Sequence, residues 1–178
     1  MSVFVVMLRA IGPVTHKIMS MADWRAAVAA AGFGNPATHV ATGNMIIEGD
    51  GTVAKVAARM DEIVRSRGLG ANNKAIVRTP RQMQALLKTD PFPEASASRP
   101  SAVAAYFFAK AQPDFSWVKD YPGPERIAVV GQHLVVDYDN RITGSSLPGV
   151  IERKSGTVTA RNWNTLRALA EKSAARRN

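Results

Sequence analysis

Five polar residues stand at positions where a protein can hold an anion. Arg9 follows an apolar run, Asn44 falls in a Gly-Asn turn, and Arg161, Asn162 and Asn164 open the last predicted helix. The first amides of a helix have no intrahelical acceptor, and the helix dipole is positive at that end, so a phosphate or carboxylate is favoured there. The sequence therefore predicts an anion site built from these residues between two subdomains.

Each of these residues also has a purely structural interpretation. Asn44 can shape its turn and Asn162 can cap the helix, because short polar side chains bond to nearby backbone groups. Arg9 or Arg161 can instead pair with an acidic side chain. The sequence leaves both interpretations open.

The charge of the whole chain agrees with an anionic partner. The 178 residues carry a net charge of +9 with a pI near 10.4, and both halves of the chain are basic. A basic surface favours phosphate-bearing partners, which here means a small metabolite or a nucleic acid. The alternative is that the charge serves solubility.

Composition excludes several classes of chemistry. The chain has no cysteine, so disulfides, thiol catalysis and thiolate metal sites are excluded. The three histidines are far apart in the sequence, and no metal site or cofactor is predicted. Ser145-Ser146 lacks the Gly-x-Ser-x-Gly elbow, and no glycine-rich phosphate loop occurs, so no catalytic residue is assigned.

The start of the chain bears on localisation. Its apolar run ends at Arg9, which is too short for a membrane span and lacks the basic segment of a signal peptide. We therefore expect a cytoplasmic protein without a membrane partner.

Hydrophobic periodicity predicts a ferredoxin-like βαββαβ plan in the first half of the chain. The predicted elements are a strand at 3–8, a loop at 12–19, a helix from 20 to about 32, a hairpin at 38–47 turning at Gly43-Asn44, a helix at 52–67 and a strand at 74–79. A capping box at Thr79 and Gln82 then predicts an extra helix. A proline-rich linker at 90–100 follows, so the first subdomain is predicted to span 1–89.

The second half, residues 101–178, repeats this order less regularly and predicts a second ferredoxin-like subdomain. Its predicted elements are a strand at 102–109, a short helix at 114–119, hairpin strands at 127–130 and 134–138, a short helix at 147–154, a short strand at Val158 and a final helix at 160–174. Lys172, Arg176 and Arg177 suit the negative end of that helix. The predicted fold class is α+β, with two tandem antiparallel sheets.

Three segments carry a family resemblance. They are Leu8-Arg9-Ala10-Ile11-Gly12, Thr42-Gly43-Asn44 and the run from Thr159 to Leu166, which reads Thr-Ala-Arg-Asn-Trp-Asn-Thr-Leu. With these, the chain resembles the bacterial domain-of-unknown-function family 1697, over essentially its whole length. The resemblance implies a two-subdomain ferredoxin-like α+β fold and no particular activity.

The chain departs from the family pattern in three places. Ala10 and Gly12 replace a glycine and an asparagine, and Val14-Thr15-His16 replaces a Gly-Gly loop. The family's Gly-Arg-Ser-Lys-Leu segment reads Thr143-Gly144-Ser145-Ser146-Leu147 here, which keeps Ser145, a candidate anion ligand, but lacks both basic residues. If the family binds an anion through this segment, we expect this chain to be a diverged member with weaker or altered binding.

Three functions remain as hypotheses. The first is non-enzymatic binding of an anionic ligand, either a phosphate-bearing metabolite or a nucleic acid. The second is an enzyme acting on a small phosphorylated or carboxylated metabolite at the cleft between the subdomains, for which His16 is the candidate general base. The third is a protein-interaction module that uses sheet edges or apolar faces, with the oligomeric state left open.

Overall fold

The computed structural model describes residues 1–176, and the predicted helix-end role of Arg177 lies outside that range. The chain forms two compact units. Of the described residues, the first unit comprises 1–84 and 169–176, and the second comprises 85–168. Both are α+β, as predicted.

The first unit follows the predicted order of elements with one helix added. Its elements are β1 (Ser2–Leu8), α1 (Pro13–Ile18), α2 (Met21–Ala30), β2 (Gly34–His39), β3 (Asn44–Gly49), α3 (Val53–Ser66), β4 (Ala75–Arg78) and α4 (Pro80–Thr89), the last of which continues into the second unit. The four strands form one antiparallel sheet in the order β2-β3-β1-β4. β1 therefore has hydrogen-bonded neighbours on both sides.

One face of this sheet carries the core of the first unit. Phe4, Val6 and Leu8 alternate along β1 and are buried in a cluster with Trp24 of α2 and Met60 of α3. The helices present the apolar stripes that the sequence predicts. Ser20 caps α2 by accepting the Asp23 amide at 3.0 Å, and the Asp23 carboxylate accepts the Ser20 amide in return.

The first hairpin differs from its prediction. β2 ends at His39 and β3 begins at Asn44, so residues 40–43 form a four-residue loop and Asn44 is paired with His39 in the sheet. The Gly43 carbonyl accepts the Leu8 amide at 2.7 Å, which ties this loop to the end of β1. The prediction of a two-residue Gly43-Asn44 turn is wrong because this long-range bond and the positive φ at Val40 favour a wider loop.

The predicted loop at 12–19 is instead the short helix α1. Pro13 at its first position has the fixed φ that suits a helix start, and the Gly12 amide donates to Thr15 Oγ1 at 2.9 Å. α1 buries none of its residues, so no hydrophobic periodicity marks it in the sequence.

The second unit has a thinner helical layer. Its elements are α5 (Pro93–Ser98), β5 (Val103–Phe108), β6 (Arg126–Val130), β7 (His133–Asp137), α6 (Leu147–Ser155), β8 (Val158–Asn162) and α7 (Trp163–Ala174), whose last residues belong to the first unit. The sheet is again antiparallel, in the order β6-β7-β5-β8. Tyr106, Phe108, Leu134 and Tyr138 lie in its main core cluster with Ile151 of α6.

Several local predictions in this unit need correction. Residues 114–119 do not form an α-helix; a single 3-10 turn at Val118–Asp120 takes its place, and the Asp114 carboxylate accepts the Ser116 amide and hydroxyl in a local turn that competes with a helix. Within the predicted linker, Pro93–Ser98 form α5. Arg161 lies in β8 rather than in the first turn of the last helix, since its strand continues to pair with β5 as far as Asn162.

Gly43 offers a direct test of how the β2–β3 loop packs against β1. It has φ +86°, and a Cβ there would lie 2.8 Å from Ile11 Cγ1 and 3.0 Å from Leu8 Cβ. We expect Gly43→Ala to lower the free energy of unfolding by about 2 kcal/mol or more, through backbone strain and overpacking. Urea unfolding measures this change. Gly12→Ala is the matched control: Gly12 is extended and has open space around it, so an equal loss in that variant contradicts the prediction.

Candidate functional site

The first unit contains a pocket of about 500 Å³ at the edge where α3 and α4 begin. Residues 1–4 of the first strand, 51–53, 79–81 and Arg176 line it. A volume of this size is typical of sites for small molecules. The pocket is the best candidate site in this unit.

Sheet pairing brings the two helix starts together. β1 is antiparallel to β3 and β4, with Ser2 opposite Gly49 and Val5 opposite Arg78. The C-terminal ends of β3 and β4 therefore lie beside the N-terminal end of β1. α3 and α4 begin a few residues later and so start at this same edge.

Both helix starts are capped by a threonine. Thr52 Oγ1 accepts the Lys55 amide at 3.2 Å, and Thr79 Oγ1 accepts the Gln82 amide at 3.2 Å. The Gln82 side chain completes the predicted capping box by accepting the Thr79 amide at 2.8 Å. Each cap satisfies one amide of its helix start, while the remaining amides of the first turn, such as those of Val53 and Arg81, have no intrahelical acceptor. Two positive dipole ends thus face one cavity.

Two arginines add full charges to this edge. Arg81 is exposed in the first turn of α4. Arg176 follows α7 and is held in place by the backbone, since its Nη1 donates to the Asn35 carbonyl at 2.7 Å and to the Ile46 carbonyl at 3.3 Å. Glu48 lies 3.8 Å from the same nitrogen and offsets part of its charge.

The lining of the pocket has the chemistry of an anion site. Among the described residues that line it, the ionisable side chains are the guanidinium groups of Arg81 and Arg176, and no carboxylate or imidazole is present. The hydroxyl groups of Ser2, Thr52 and Thr79 supply further hydrogen-bonding groups. Such a set can bind phosphate or carboxylate, but it offers no side-chain general base.

A contact at the end of α7 helps to position Arg176. Lys172 Nζ donates to His39 Nδ1 at 2.9 Å, which links α7 to β2 one turn before Arg176. The pKa of His39 is lowered from its ordinary 6.5, first by burial and then by the nearby Lys172 ammonium group. The contact therefore requires a neutral imidazole.

The three candidate ligand residues of the first unit are Arg9, His16 and Asn44. They lie near the C-terminal end of β1, whereas the pocket borders its N-terminal end. His16 Nε2 is 2.7 Å from the Ala41 carbonyl, and the Asn44 side chain donates to the His39 carbonyl at 3.1 Å and to Thr42 Oγ1 at 2.9 Å. Both side chains thus hold the β2–β3 loop. Arg9 Nη1 donates to the Asn72 carbonyl at 3.4 Å. The structure brings His16 and Asn44 to one loop, and neither these two nor Arg9 lines the pocket.

The four predicted residues of the second unit have separate surroundings. Asn162 caps α7 by accepting the Thr165 amide at 3.0 Å, and Asn164 Nδ2 lies 3.4 Å from Ser101 Oγ. Ser145 Oγ donates to Glu125 at 2.5 Å, a carboxylate that also accepts from Tyr121 at 2.7 Å. Ser145 therefore neighbours a negative charge, which disfavours an anion at that hydroxyl.

Arg161 is buried and has a counterpart in the first unit. It is 8% exposed in β8, and Arg78 is 5% exposed in β4. In each, Nη1 donates to the carbonyl of the preceding residue at 2.9 Å, and a helix begins two residues later. Burial lowers the pKa of each guanidinium to about 10. At the end of the last strand of each sheet, a buried arginine thus precedes the residue that caps the following helix.

Asp137 centres an ion cluster in the second unit. Its carboxylate, 3% exposed, accepts from Arg99 at 2.7 Å and from Arg126 at 2.6 Å. Burial raises its pKa, but bonds from Arg99 and Arg126 outweigh burial and bring the pKa to about 2. Asp137 also borders a cavity of about 340 Å³. Because Arg99 and Arg126 are already paired with this acid, and Glu94 and Asp139 also line the cavity, it is a weaker anion site than the pocket of the first unit.

Sequence reasoning missed the lining residues Thr52, Thr79, Arg81 and Arg176 as a site. The capping box at Thr79 was a local signal, and Arg81 lies inside it. Arg176, however, is 95 positions from Arg81 in the sequence, and no local pattern places the two beside one pocket. Only the antiparallel pairing of β1 with β3 and β4 reveals the site.

Two negative findings concern the described part of the chain. Residues 1–176 contain no helix with the length and apolar character needed to cross a bilayer. In the same range, histidine and acidic side chains do not form a group of three or more that could hold a metal ion.

Comparison with known proteins identifies the family of this chain. A profile described as "Protein of unknown function (DUF1697)" matches residues 1–134. The chain belongs to this family. The match confirms the family resemblance and includes the Leu8–Gly12 and Thr42–Asn44 segments, but it ends before Thr159–Leu166.

A solved structure extends the comparison of this DUF1697 chain to its whole length. The conserved bacterial protein SP0830 from Streptococcus pneumoniae matches with a TM-score of 0.75 and 14% identity, over 98% of this chain and 99% of that one. At that identity the likeness shows a shared fold alone. No curated protein matches the DUF1697 chain.

The His39–Lys172 contact predicts a pH dependence. Because the pKa of His39 is lowered in the folded state below its unfolded value of 6.5, the unfolded chain binds protons more readily. The free energy of unfolding should therefore be highest above pH 6.5 and should fall as the pH drops below it. Lys172→Met should raise the pKa of His39, which NMR titration of the imidazole measures. A pKa unchanged in that variant contradicts the proposed contact.

Proposed function

We propose that this protein binds a small phosphate-bearing anion in the pocket between the starts of α3 and α4, without catalysing a reaction. The observation that carries the proposal is the composition of the lining. Two helix N-termini, Arg81 and Arg176 converge there, and the described lining residues include no carboxylate. Helix starts and arginine side chains are the groups from which proteins build phosphate sites.

The absence of a side-chain general base among the described lining residues favours binding over catalysis. Proton transfer needs a titratable group within hydrogen-bond reach of the substrate. His16, the candidate base, lies outside the pocket and is bonded to the Ala41 carbonyl. An enzyme acting on a phosphorylated metabolite would need a base from the ligand or from water.

We also infer that both units follow the ferredoxin-like βαββαβ plan, the second in reduced form. The strand orders β2-β3-β1-β4 and β6-β7-β5-β8, with antiparallel pairing throughout, support this topology. In the second unit a 3-10 turn stands between β5 and β6 where the plan has a helix.

Nucleic acid is the competing partner, and the net charge of +9 favours it. The two ligands differ in how many contacts they use. A polynucleotide contacts many cations, so its log affinity should fall with log salt by about 0.7 for each neutralised phosphate of a single strand. The affinity for a small anion held in one pocket should instead depend strongly on the individual residues that line the pocket.

Binding of inorganic phosphate and pyrophosphate, measured by calorimetry, tests the proposal. We expect Arg81→Ala to weaken the affinity roughly tenfold or more, because each charge-assisted hydrogen bond contributes about 1.5–3 kcal/mol. Arg176→Met should act in the same direction. Arg153→Ala is the matched control, since Arg153 is exposed on α6 and does not line the pocket, and its replacement removes the same charge.

The same variants separate the two partners. If labelled single-stranded RNA binds with a steep salt dependence and Arg81→Ala and Arg153→Ala weaken it equally, the basic surface binds nucleic acid and the pocket assignment is wrong. If neither phosphate nor pyrophosphate binds the wild-type protein, the small-anion proposal fails.

A further inference from the structure

The two sheets have four edge strands, and they are protected to different degrees. In the first sheet, β2 contains Pro36, which lacks an amide donor, and its pairing register shifts between Gly34 and Ala37. Every residue of the other edge, β4, is buried. In the second sheet, Val158, Thr159 and Arg161 of the edge strand β8 are buried. Proline, irregular pairing and burial are the usual means of preventing strand addition.

β6 is the edge strand that lacks these protections. It runs from Arg126 to Val130 and pairs with β7 at every residue without a register shift. It contains no proline and buries none of its five residues, and Val129 is 50% exposed. A regular, exposed and apolar edge is a template for another strand.

The hairpin turn shows which backbone groups face outward. Val130 and His133 flank the two-residue turn Gly131-Gln132, and Gly131 has φ +60°, as the first position of a type II′ turn requires. In such a hairpin the flanking pair is hydrogen-bonded, and bonded and non-bonded pairs alternate from there. The amides and carbonyls of Ile127 and Val129 therefore point away from β7. Within residues 1–176, no hydrogen bond is made to the backbone of either residue.

The side chains of β6 are complementary to themselves in an antiparallel arrangement centred on Ala128. Ile127 then faces Val129 of the second strand on the core side of the sheet, and Arg126 faces Val130 on the other. Two alanines, which need little space, meet at the centre. Arg126 does not face its own copy, and its charge is already balanced by Asp137 and Glu94. No like charges are opposed, and the same apolar pair forms twice.

We propose that β6 pairs antiparallel with β6 of a second copy of this chain, joining two four-stranded sheets into one continuous sheet across a two-fold axis. Such an interface is isologous, because the same residues contribute from both copies. It rests on a single short strand from each copy. We therefore expect a weak dimer, with a Kd on the order of 10⁻⁴ M. This inference is independent of the anion pocket.

Sedimentation velocity of the full chain over a wide concentration range tests the proposal. The wild-type protein should shift from monomer to dimer as the concentration rises. Val129→Pro should weaken dimerisation by about tenfold or more, since it removes one outward amide from each copy and so two inter-strand bonds. Val129→Thr is the matched control: it keeps the amide and the β-branched shape, so the dimer should persist.

A second measurement covers the case in which the proline variant does not fold. Hydrogen exchange of the wild-type protein should show the amides of Ile127 and Val129 slowing as the concentration rises, while that of exposed Val14 does not change. A wild-type protein that remains monomeric up to millimolar concentration overturns the proposal. A dimer whose Ile127 and Val129 amides exchange at an unchanged rate also overturns it, because the copies then meet elsewhere.

Discussion

The pairing of β1 on both sides is the constraint on which the first unit depends. A strand between two antiparallel neighbours forms backbone hydrogen bonds along both of its edges. In β1, residues Phe4–Leu8 are also all buried. Because β3 and β4 both run against β1, their ends lie beside its start, and the helices that follow must begin there. The pocket at this edge is thus a consequence of strand order. Arg81 and Arg176 give that edge its positive charge, and the capping threonines add hydroxyl groups.

The other end of β1 serves a structural purpose. Gly43 accepts the Leu8 amide, Asn44 bonds across its loop, and Asn73 Nδ2 donates to the carbonyls of Arg9 and Ala10 at 3.2 Å. Ala10 is held at φ +59° by this arrangement. The polar residues that first suggest chemistry at this end therefore fix loops. A side-chain donor that is hydrogen-bonded within a turn cannot at the same time donate that hydrogen bond to a ligand.

The two units share one solution for ending a sheet. β4 ends with the buried Arg78, and in β8 the buried Arg161 is the penultimate residue. In both units the arginine is followed by a capping residue and a helix. The sequences around the two arginines are otherwise different, so the similarity is recognised only when β4 and β8 are compared as the last strands of their sheets. Burying a guanidinium is costly unless its donors are satisfied. The recurrence of a backbone carbonyl as acceptor shows how the fold meets part of that cost.

The sequence by itself determined the elements with strong local signals. The apolar run of β1, the capped helices α2, α3 and α4, and the Gly131-Gln132 hairpin follow from periodicity, capping and turn chemistry, which act within a few residues. Tertiary structure alone decided the rest. Arg161 remains in a strand because β5 pairs with it, and Arg176 reaches a pocket whose other arginine is distant in the chain. These outcomes depend on long-range pairing, and long-range pairing leaves no local trace in the sequence.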